Sequence, residues 1–333
     1  MADFLPPDAP LESAIQSGAR VIERILHEVG QTIVGQEKLR RRLVAALLTE
    51  GHVLLEGVPG LAKTLSIKAL AQAVDASFQR IQFTPDLLPS DVIGTEVFRP
   101  QDGTFEIRRG PVFAHFVLAD EINRAPAKVQ SALLETMQER QVTIGTESLM
   151  LPDPFFVLAT QNPIEQEGTY PLPEAQIDRF VMKVKVSYPT PDEEKHMLDL
   201  VTTPGFGKER RAPVATLADM KALSQLCRRI YVDDRVKKYI VNLVWASRKP
   251  ADYGLKLEPL IELGASPRAA ISLLLVARAE ALLSGEHYVG PQTVKNVALD
   301  VLRHRIMPTY EAEAQGLDSD SIVKMILDGV EVP

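Results

Sequence analysis

The segment Gly57-Val58-Pro59-Gly60-Leu61-Ala62-Lys63-Thr64 follows directly on the apolar run Val53-Leu54-Leu55, and it restricts the fold more than any other stretch of the 333-residue chain. A buried strand that ends in a tight Gly/Pro turn and passes into a helix opening with Lys-Thr forms a cradle for a polyphosphate. The N–H groups of such a loop and the positive end of the new helix aim at an anion. Lys63 has the reach for β/γ oxygens, and the Thr64 hydroxyl is a hard ligand suited to Mg2+. Ala62 stands where glycine is usual. A glycine-rich turn without a ligand is the plainer alternative, but strand, loop and helix arrive here in the order a phosphate site requires.

The rest of the chain extends this unit. Strand candidates at 52–56, 79–83, 114–119, 155–160 and 180–186 alternate with helices at 63–74 and 126–139, the rhythm of a parallel sheet covered by helices. The last strand, Val181 to Val186, alternates apolar and basic residues, so one of its faces is expected to meet water. Two stretches interrupt the rhythm as β-hairpins: Gly94 to Gly110, around Pro100-Gln101-Asp102-Gly103, and Gln141 to Leu151, around Gly145-Thr146-Glu147. Residues 1–10 read as a flexible lead, and helical spacing runs from about Leu11 to Glu50.

The α/β core is therefore expected over 11–188, with a proline-rich linker at 189–192. Helices at 193–203, 216–228, 233–246, 267–284 and 291–305 follow, which makes 193–333 a second, all-helical domain. The helix from Pro267 is well marked, with Ser266 at the N-cap and Gly285 at the stop. Trp245 and the leucine-rich faces of 233–246 and 267–284 read as the core of that domain.

Composition excludes some classes. A net charge of −7 gives no general affinity for nucleic acid. One cysteine, Cys227, forms no internal disulfide and no cysteine metal site, and it reads as a buried helix residue. The six histidines show no metal spacing, and His115 reads as a packed strand residue. Met1 to Pro7 does not read as a signal peptide, lacking a basic start followed by an apolar core, and the longest apolar stretch, Ile271 to Ala277, is too short to span a bilayer. A cytoplasmic location is expected.

The strand Phe116-Val117-Leu118-Ala119 delivers Asp120-Glu121 at its carboxyl end, where ligands collect in open α/β sheets. There Asp120 suits the Mg2+ shell through water, and Glu121 suits a base that polarises an attacking water. A second strand, Phe155 to Ala159, ends in Thr160-Gln161-Asn162-Pro163, and an amide at that tip can bond the water or a γ-phosphate oxygen.

Taken in order, these residues resemble the AAA+ ATPases and, within them, the MoxR branch. Residues 57–64 are similar to the family's Walker A, and Asp120-Glu121-Ile122-Asn123-Arg124-Ala125 to its Walker B. Residues 159–163 with 167–180 lie close to a branch signature, Ile33-Val34-Gly35-Gln36 resembles the adenine border, and Ser266-Pro267-Arg268 resembles sensor 2. The resemblance implies an AAA+ P-loop core, a parallel sheet sandwiched by helices, with hairpin insertions and a C-terminal helical lid. It implies ATP and Mg2+ bound by Ile33, Val34, Gly35, Gly57, Val58, Pro59, Gly60, Leu61, Ala62, Lys63, Thr64, Leu65 and Asp120.

The same resemblance gives catalytic roles to Lys63 and Glu121, makes Asn162 sensor 1, and makes Arg179 a finger reaching the neighbouring subunit's γ-phosphate. Whether Arg268 serves its own site or the neighbour's stays open, as does whether Arg124 is an interface residue or caps the next helix. The hairpins are similar to pore-facing inserts. A homo-oligomeric ring, a hexamer by family expectation, and a von Willebrand factor A-domain partner are implied, with chaperone-like remodelling or maturation of client complexes; the client is not legible. Three other readings stand beside this one: a magnesium-chelatase-type subunit, an MCM-like DNA motor, and a nucleotide-gated scaffold with little turnover.

Overall fold

The computed structural model describes residues 10–58, 61, 63–101, 103–162, 168–202 and 211–333. The lead before Pro10, the loop residues Pro59, Gly60 and Ala62, and the stretches 163–167 and 203–210 lie outside the described residues.

Two helices open the fold, α1 (Leu11–Gly30) and α2 (Glu37–Leu48), where the sequence suggests one helical run. Gly35 (φ 64°) and Gln36 (φ 52°) take left-handed backbone between them and break the run. Then come β1 (Val53–Glu56), α3 (Lys63–Ala73), β2 (Phe78–Gln82), the short α4 (Pro89–Ile93), β3 (Gly94–Arg99), β4 (Thr104–Arg109), β5 (Phe116–Asp120) and α5 (Ala127–Glu139). The core ends with β6 (Gln141–Ile144), β7 (Glu147–Met150), β8 (Phe156–Gln161), α6 (Glu174–Ile177) and β9 (Met182–Lys185). Beyond it lie α7 (Pro191–Val201), α8 (Leu217–Arg228), α9 (Asp234–Ala246), β10 (Ile261–Leu263), α10 (Pro267–Leu283), α11 (Pro291–Leu302), β11 (Met307–Pro308), α12 (Tyr310–Ala314) and α13 (Ser319–Gly329). Pro191 and Asp192, expected in the linker, are the first residues of α7, because Thr190 and Glu193 cap it reciprocally.

The central sheet has the order β2-β5-β8-β1-β9, and every pairing in it is parallel. All strands therefore end at one pole. Glu56 stands level with Gln161 and Lys185, and Gln82 with Asp120. At about 3.3 Å of rise per residue, a four-residue strand separates the two poles by roughly 13 Å. The hairpins β3–β4 and β6–β7 form separate antiparallel ribbons.

Side chains alternate across the sheet into two apolar layers. Leu55, Phe116, Leu118, Phe156, Leu158 and Val184 face α1, α2 and α3, and that layer continues without a break into the lid helices. Leu54, Val117, Ala119, Val157 and Ala159 face α5 and the hairpins. Where α1 meets α8, Gly18 permits the approach, since a Cβ there would stand 2.9 Å from Leu226.

The alternation of β9 departs from expectation only in part. β9 is an edge strand whose Lys185 is exposed to water as expected and whose Lys183 is half-buried, and both lysines also pair with acidic partners. Lys183 pairs with Glu56 at 2.5 Å, and Lys185 pairs with Asp320 at 3.1 Å and Asp318 at 3.4 Å on α13 and its cap. Trp245 also departs from expectation. It is 42 % exposed rather than core, with the Arg248 guanidinium 5.4 Å above its ring. Cys227 is buried on α8, as the sequence suggests.

A buried ion cluster fastens α2 to the lid. Arg42 meets Glu280 of α10 at 2.7 Å and Asp300 of α11 at 2.8 Å, and Asp300, fully buried, also pairs with Lys38 and Arg303. Removing one member of such a cluster strands the others in low dielectric. Arg42→Ala is therefore expected to cost about 3–5 kcal/mol of stability. Thermal melting monitored by circular dichroism checks this: a midpoint within a degree of wild type contradicts it.

Candidate nucleotide site

At the carboxyl pole, β1 ends at Glu56 and the chain turns at Gly57, where a Cβ would stand 3.0 Å from the Val186 carbonyl; only glycine fits without displacement. Leu61 is buried, Val58 half-buried, and α3 begins at Lys63 with no acidic residue in its first turn. The positive end of that helix is thus left for an external anion. Lys63 Nζ donates to the Gly57 carbonyl. Burial pulls the Lys63 ammonium below its ordinary pKa, and the Asp120 and Glu121 carboxylates oppose that shift. Leu65 lies exposed one turn on. Ile33 is buried and Val34 half-buried. Gly35 abuts Glu193 of α7, and Gln36 donates to the Ser187 carbonyl, which brings the 33–36 loop to the same end of the sheet.

The acidic pair stands beside this loop. Thr160, fully buried at the end of β8, donates to Asp120 Oδ1 at 2.7 Å and accepts the Glu121 N–H at 2.9 Å. Arg80 Nη2 and Nε donate to Asp120 Oδ2 at 2.6 and 3.1 Å. Glu121 has left-handed backbone (φ 57°), a strained state that turns its side chain out of the strand register. Its Oε2 accepts from Gln82 at 2.8 Å and pairs with Arg124 at 3.3 Å. Arg124 thus lies beside the acidic pair. Asn162, buried after β8, completes this pole.

Arg179 and Arg268 are elsewhere. The Val181 N–H donates to the carbonyl of His52, the residue before β1, so residues 178–181 sit at the amino pole, opposite Lys63. There Arg179 Nη1 donates to Leu134 O on α5 at 2.8 Å, while its Nε is buried with no hydrogen-bond partner among the described residues. Asp178 accepts from Ser266, the N-cap of α10, at 2.8 Å and faces Arg268 at 3.9 Å. Arg305, 1 % exposed at the side chain, donates to Asp178 Oδ1 at 2.7 Å and to the Phe180 carbonyl at 2.7 Å. His52, Gln138, Asp178, Arg179, Arg268 and Arg305 line one cleft. Sequence reasoning missed Arg80 and Arg305, because their partners lie far away in the chain and no motif marks them, and it read Thr160 as part of the 159–163 motif without giving it a role.

The carboxyl pole fits a nucleotide polyphosphate with a divalent cation. It offers a half-buried ammonium, an unopposed helix N-terminus, and hard oxygen donors on Thr64 and Asp120. Among the described residues no cluster of three or more His, Cys, Asp or Glu side chains forms a metal site without such a ligand. No helix among them is long and apolar enough to cross a membrane.

Comparison with known proteins agrees. Residues 52–182 match the ATPase family associated with various cellular activities (AAA), and 256–326 match an AAA lid domain. Fold and site together define an AAA+ ATPase. Chaperone MoxR1 of Mycobacterium tuberculosis is 47% identical over 314 residues, 94% of this chain and 82% of that protein. Protein MoxR of Methylorubrum extorquens is 30% identical over 352 residues, spanning 100% of both. A solved protein from Cytophaga hutchinsonii, described as a "putative ATPase", matches with a TM-score of 0.90 and 48% identity over 96% of this chain and 97% of that one. The chain belongs to the MoxR family of AAA+ ATPases.

The cleft also carries a pH dependence. His52 is fully buried. Its Nδ1 accepts the Val157 N–H at 3.1 Å, which leaves Nε2 to donate to the Met137 carbonyl at 3.1 Å. Burial lowers its pKa to about 4, and burial pushes His304, which bonds the Phe180 carbonyl, the same way. Between pH 6.5 and 4 the unfolded chain binds protons that folded His52 refuses, so stability is lost as the pH falls through that window. For His52 the loss is on the order of 3 kcal/mol. Thermal midpoints measured from pH 7 to 4.5 should decline, and His52→Gln should flatten the decline. Parallel profiles for the two proteins rule His52 out as the source.

Proposed function

We propose that this protein hydrolyses ATP with Mg2+ at sites shared between subunits of a homo-oligomeric ring, a hexamer by family expectation, and uses the cycle for chaperone-like remodelling or maturation of client complexes. The reading takes 11–188 as the core and the lid as the lever, joined near 189–192. A cytoplasmic location and a von Willebrand factor A-domain partner go with it.

The observation that carries the shared-site reading is the split of the site residues between opposite poles. Lys63, Thr64, Asp120, Glu121 and Asn162 gather where the strands end, and Arg179 and Arg268 gather about a strand length away where they begin. An arginine at the amino pole does not reach its own subunit's phosphates. It reaches those of a neighbour packed against that pole. Arg268, tied through Asp178 to the same cleft as Arg179, serves the neighbour too.

In this mechanism Lys63 and the loop N–H groups bind the β/γ-phosphates, and Ile33, Val34 and Gly35 border the base. Thr64 and, through water, Asp120 would hold Mg2+, which would supply positive charge against the phosphate oxygens. Glu121 takes the proton of the attacking water, Asn162 orients that water, and the neighbour's Arg179 offsets the charge developing on the γ-phosphate. The exposed pair Phe98 and Phe105, with rings 5.2 Å apart on the β3–β4 hairpin, and Met150 on β6–β7 offer apolar contact to a client.

Mixing inactive subunits tests the reading. Lys63→Ala should abolish nucleotide binding. Arg179→Ala should bind nucleotide and lose roughly 10³–10⁵ in turnover. Combined in equal amounts, the two should regain phosphate release, because an intact Lys63 then meets an intact Arg179 across an interface. No recovery in mixtures shown to co-assemble, or an Arg179→Ala protein with wild-type turnover, sinks the shared site.

A further inference from the structure

The two oxygens of Asp120 are committed in different ways. Oδ1 is held by the hydroxyl of Thr160, a fully buried side chain that also accepts the Glu121 N–H, so this contact belongs to the sheet itself. Oδ2 is held by Arg80, whose side chain is 49% exposed on the edge strand β2. The register makes this contact a choice of the side chain rather than of the backbone. Gln82 is level with Asp120 and Arg80 with Leu118, yet Gln82 passes Asp120 to bond Glu121, and Arg80 reaches forward along the strand to bond Asp120. The Gln82 Oε1 accepts from Arg80 Nη2 at 2.7 Å and steadies that reach. Lys63, another cation of this pole, is turned to the Gly57 carbonyl, and Arg124 pairs with Glu121.

We propose that Arg80 is the resident counter-ion of Asp120, occupying Oδ2 in the nucleotide-free protein and yielding it when Mg2+ arrives with the nucleotide. The proposal rests on the nucleotide-site reading above. A half-buried carboxylate at the sheet end is favoured by a positive partner, and an arginine on an edge strand supplies one that swings into solvent without disturbing the fold. Thr160 keeps Oδ1 throughout, so Asp120 exchanges its cation without changing its rotamer. Arg80 thereby sets how much Mg2+ the site requires. It is a positioning residue that competes with the metal, not a ligand of it.

The test is the Mg2+ dependence of binding of a fluorescent ADP analogue to the full chain, titrated with MgCl2 from an EDTA-treated start. Because a half-exposed ion pair is a weak competitor, Arg80→Ala should lower the Mg2+ concentration at half-saturation by about two- to fivefold, with Arg80→Lys in between. In an Asp120→Asn background, Arg80→Ala should produce no shift, since the carboxylate for which it competes is gone. Circular dichroism and thermal melting of each variant report on folding. An unchanged or raised Mg2+ requirement in folded Arg80→Ala overturns this inference alone. A wild-type protein that binds the analogue with no dependence on Mg2+ overturns the metal-nucleotide site and this inference with it.

Discussion

Arg305 is a cation with almost no exposure to water, and most of its hydrogen bonds go to the segment before β9. Beyond the Asp178 carboxylate and the Phe180 carbonyl, it donates to the carbonyls of Asp178 at 3.1 Å, Val181 at 3.2 Å and Val301 at 2.5 Å. Burial pulls its pKa down, and the bond to Asp178 opposes that pull. A buried guanidinium persists only where its donors are matched in this way, and losing the match leaves an uncompensated charge. Residues 178–181 are therefore not a free loop. Their backbone is fixed to α11 and its end, and through Ser266 on Asp178 to the start of α10. Arg179 and Arg268 inherit their positions from this one clamp.

Strand polarity does the rest. Because all five strands run the same way, whatever follows a strand lies at one pole and whatever precedes it lies at the other. The 57–64 segment follows β1, the acidic pair closes β5 and Asn162 follows β8, whereas Arg179 precedes β9. No rotamer change carries a side chain across that span. The lid reinforces the division: Lys185 with Asp318 and Asp320 holds it at the carboxyl end of β9, and Arg305 with Asp178 holds it at the amino end.

Much of this was legible in the chain. The apolar runs ending in Gly57, Asp120 and Asn162 give the strands and their order of chemistry, since a buried parallel strand reads as an uninterrupted apolar segment. The hairpins 94–110 and 141–151 are marked by their turns, and β3–β4 and β6–β7 lie within them. The packing of the lid was not legible, for a physical reason. Lys183 and Lys185 look like a solvated face until Glu56 and α13 supply partners, and Arg42 finds Glu280 and Asp300 more than two hundred residues away. Periodicity records which face of an element is apolar and carries no record of which distant charge answers a lysine or arginine. Trp245 misled because its residue type favours burial, whereas its helix α9 turns it outward under Arg248.

The parked position of Arg179 bears on the energetics of the proposed role. Among the described residues its guanidinium donates to Leu134 O and leaves Nε buried without a partner. Leaving that position gives up a charge-assisted hydrogen bond worth about 1.5–3 kcal/mol and relieves a desolvated donor. A finger that accelerates phosphoryl transfer by roughly 10³–10⁵ returns about 4–7 kcal/mol in the transition state. The gain exceeds the loss, so a resting contact on α5 does not hold Arg179 back from a neighbour's phosphate. The helix α5 that carries this contact ends at Glu139 and is followed by Arg140, whose left-handed backbone leads into the β6–β7 hairpin and whose guanidinium meets Glu50, itself bonded to Ser224 and Arg228 of α8. Leu134 O thus lies on the helix that leads into the hairpin at one end and, through Arg140 and Glu50, abuts the lid.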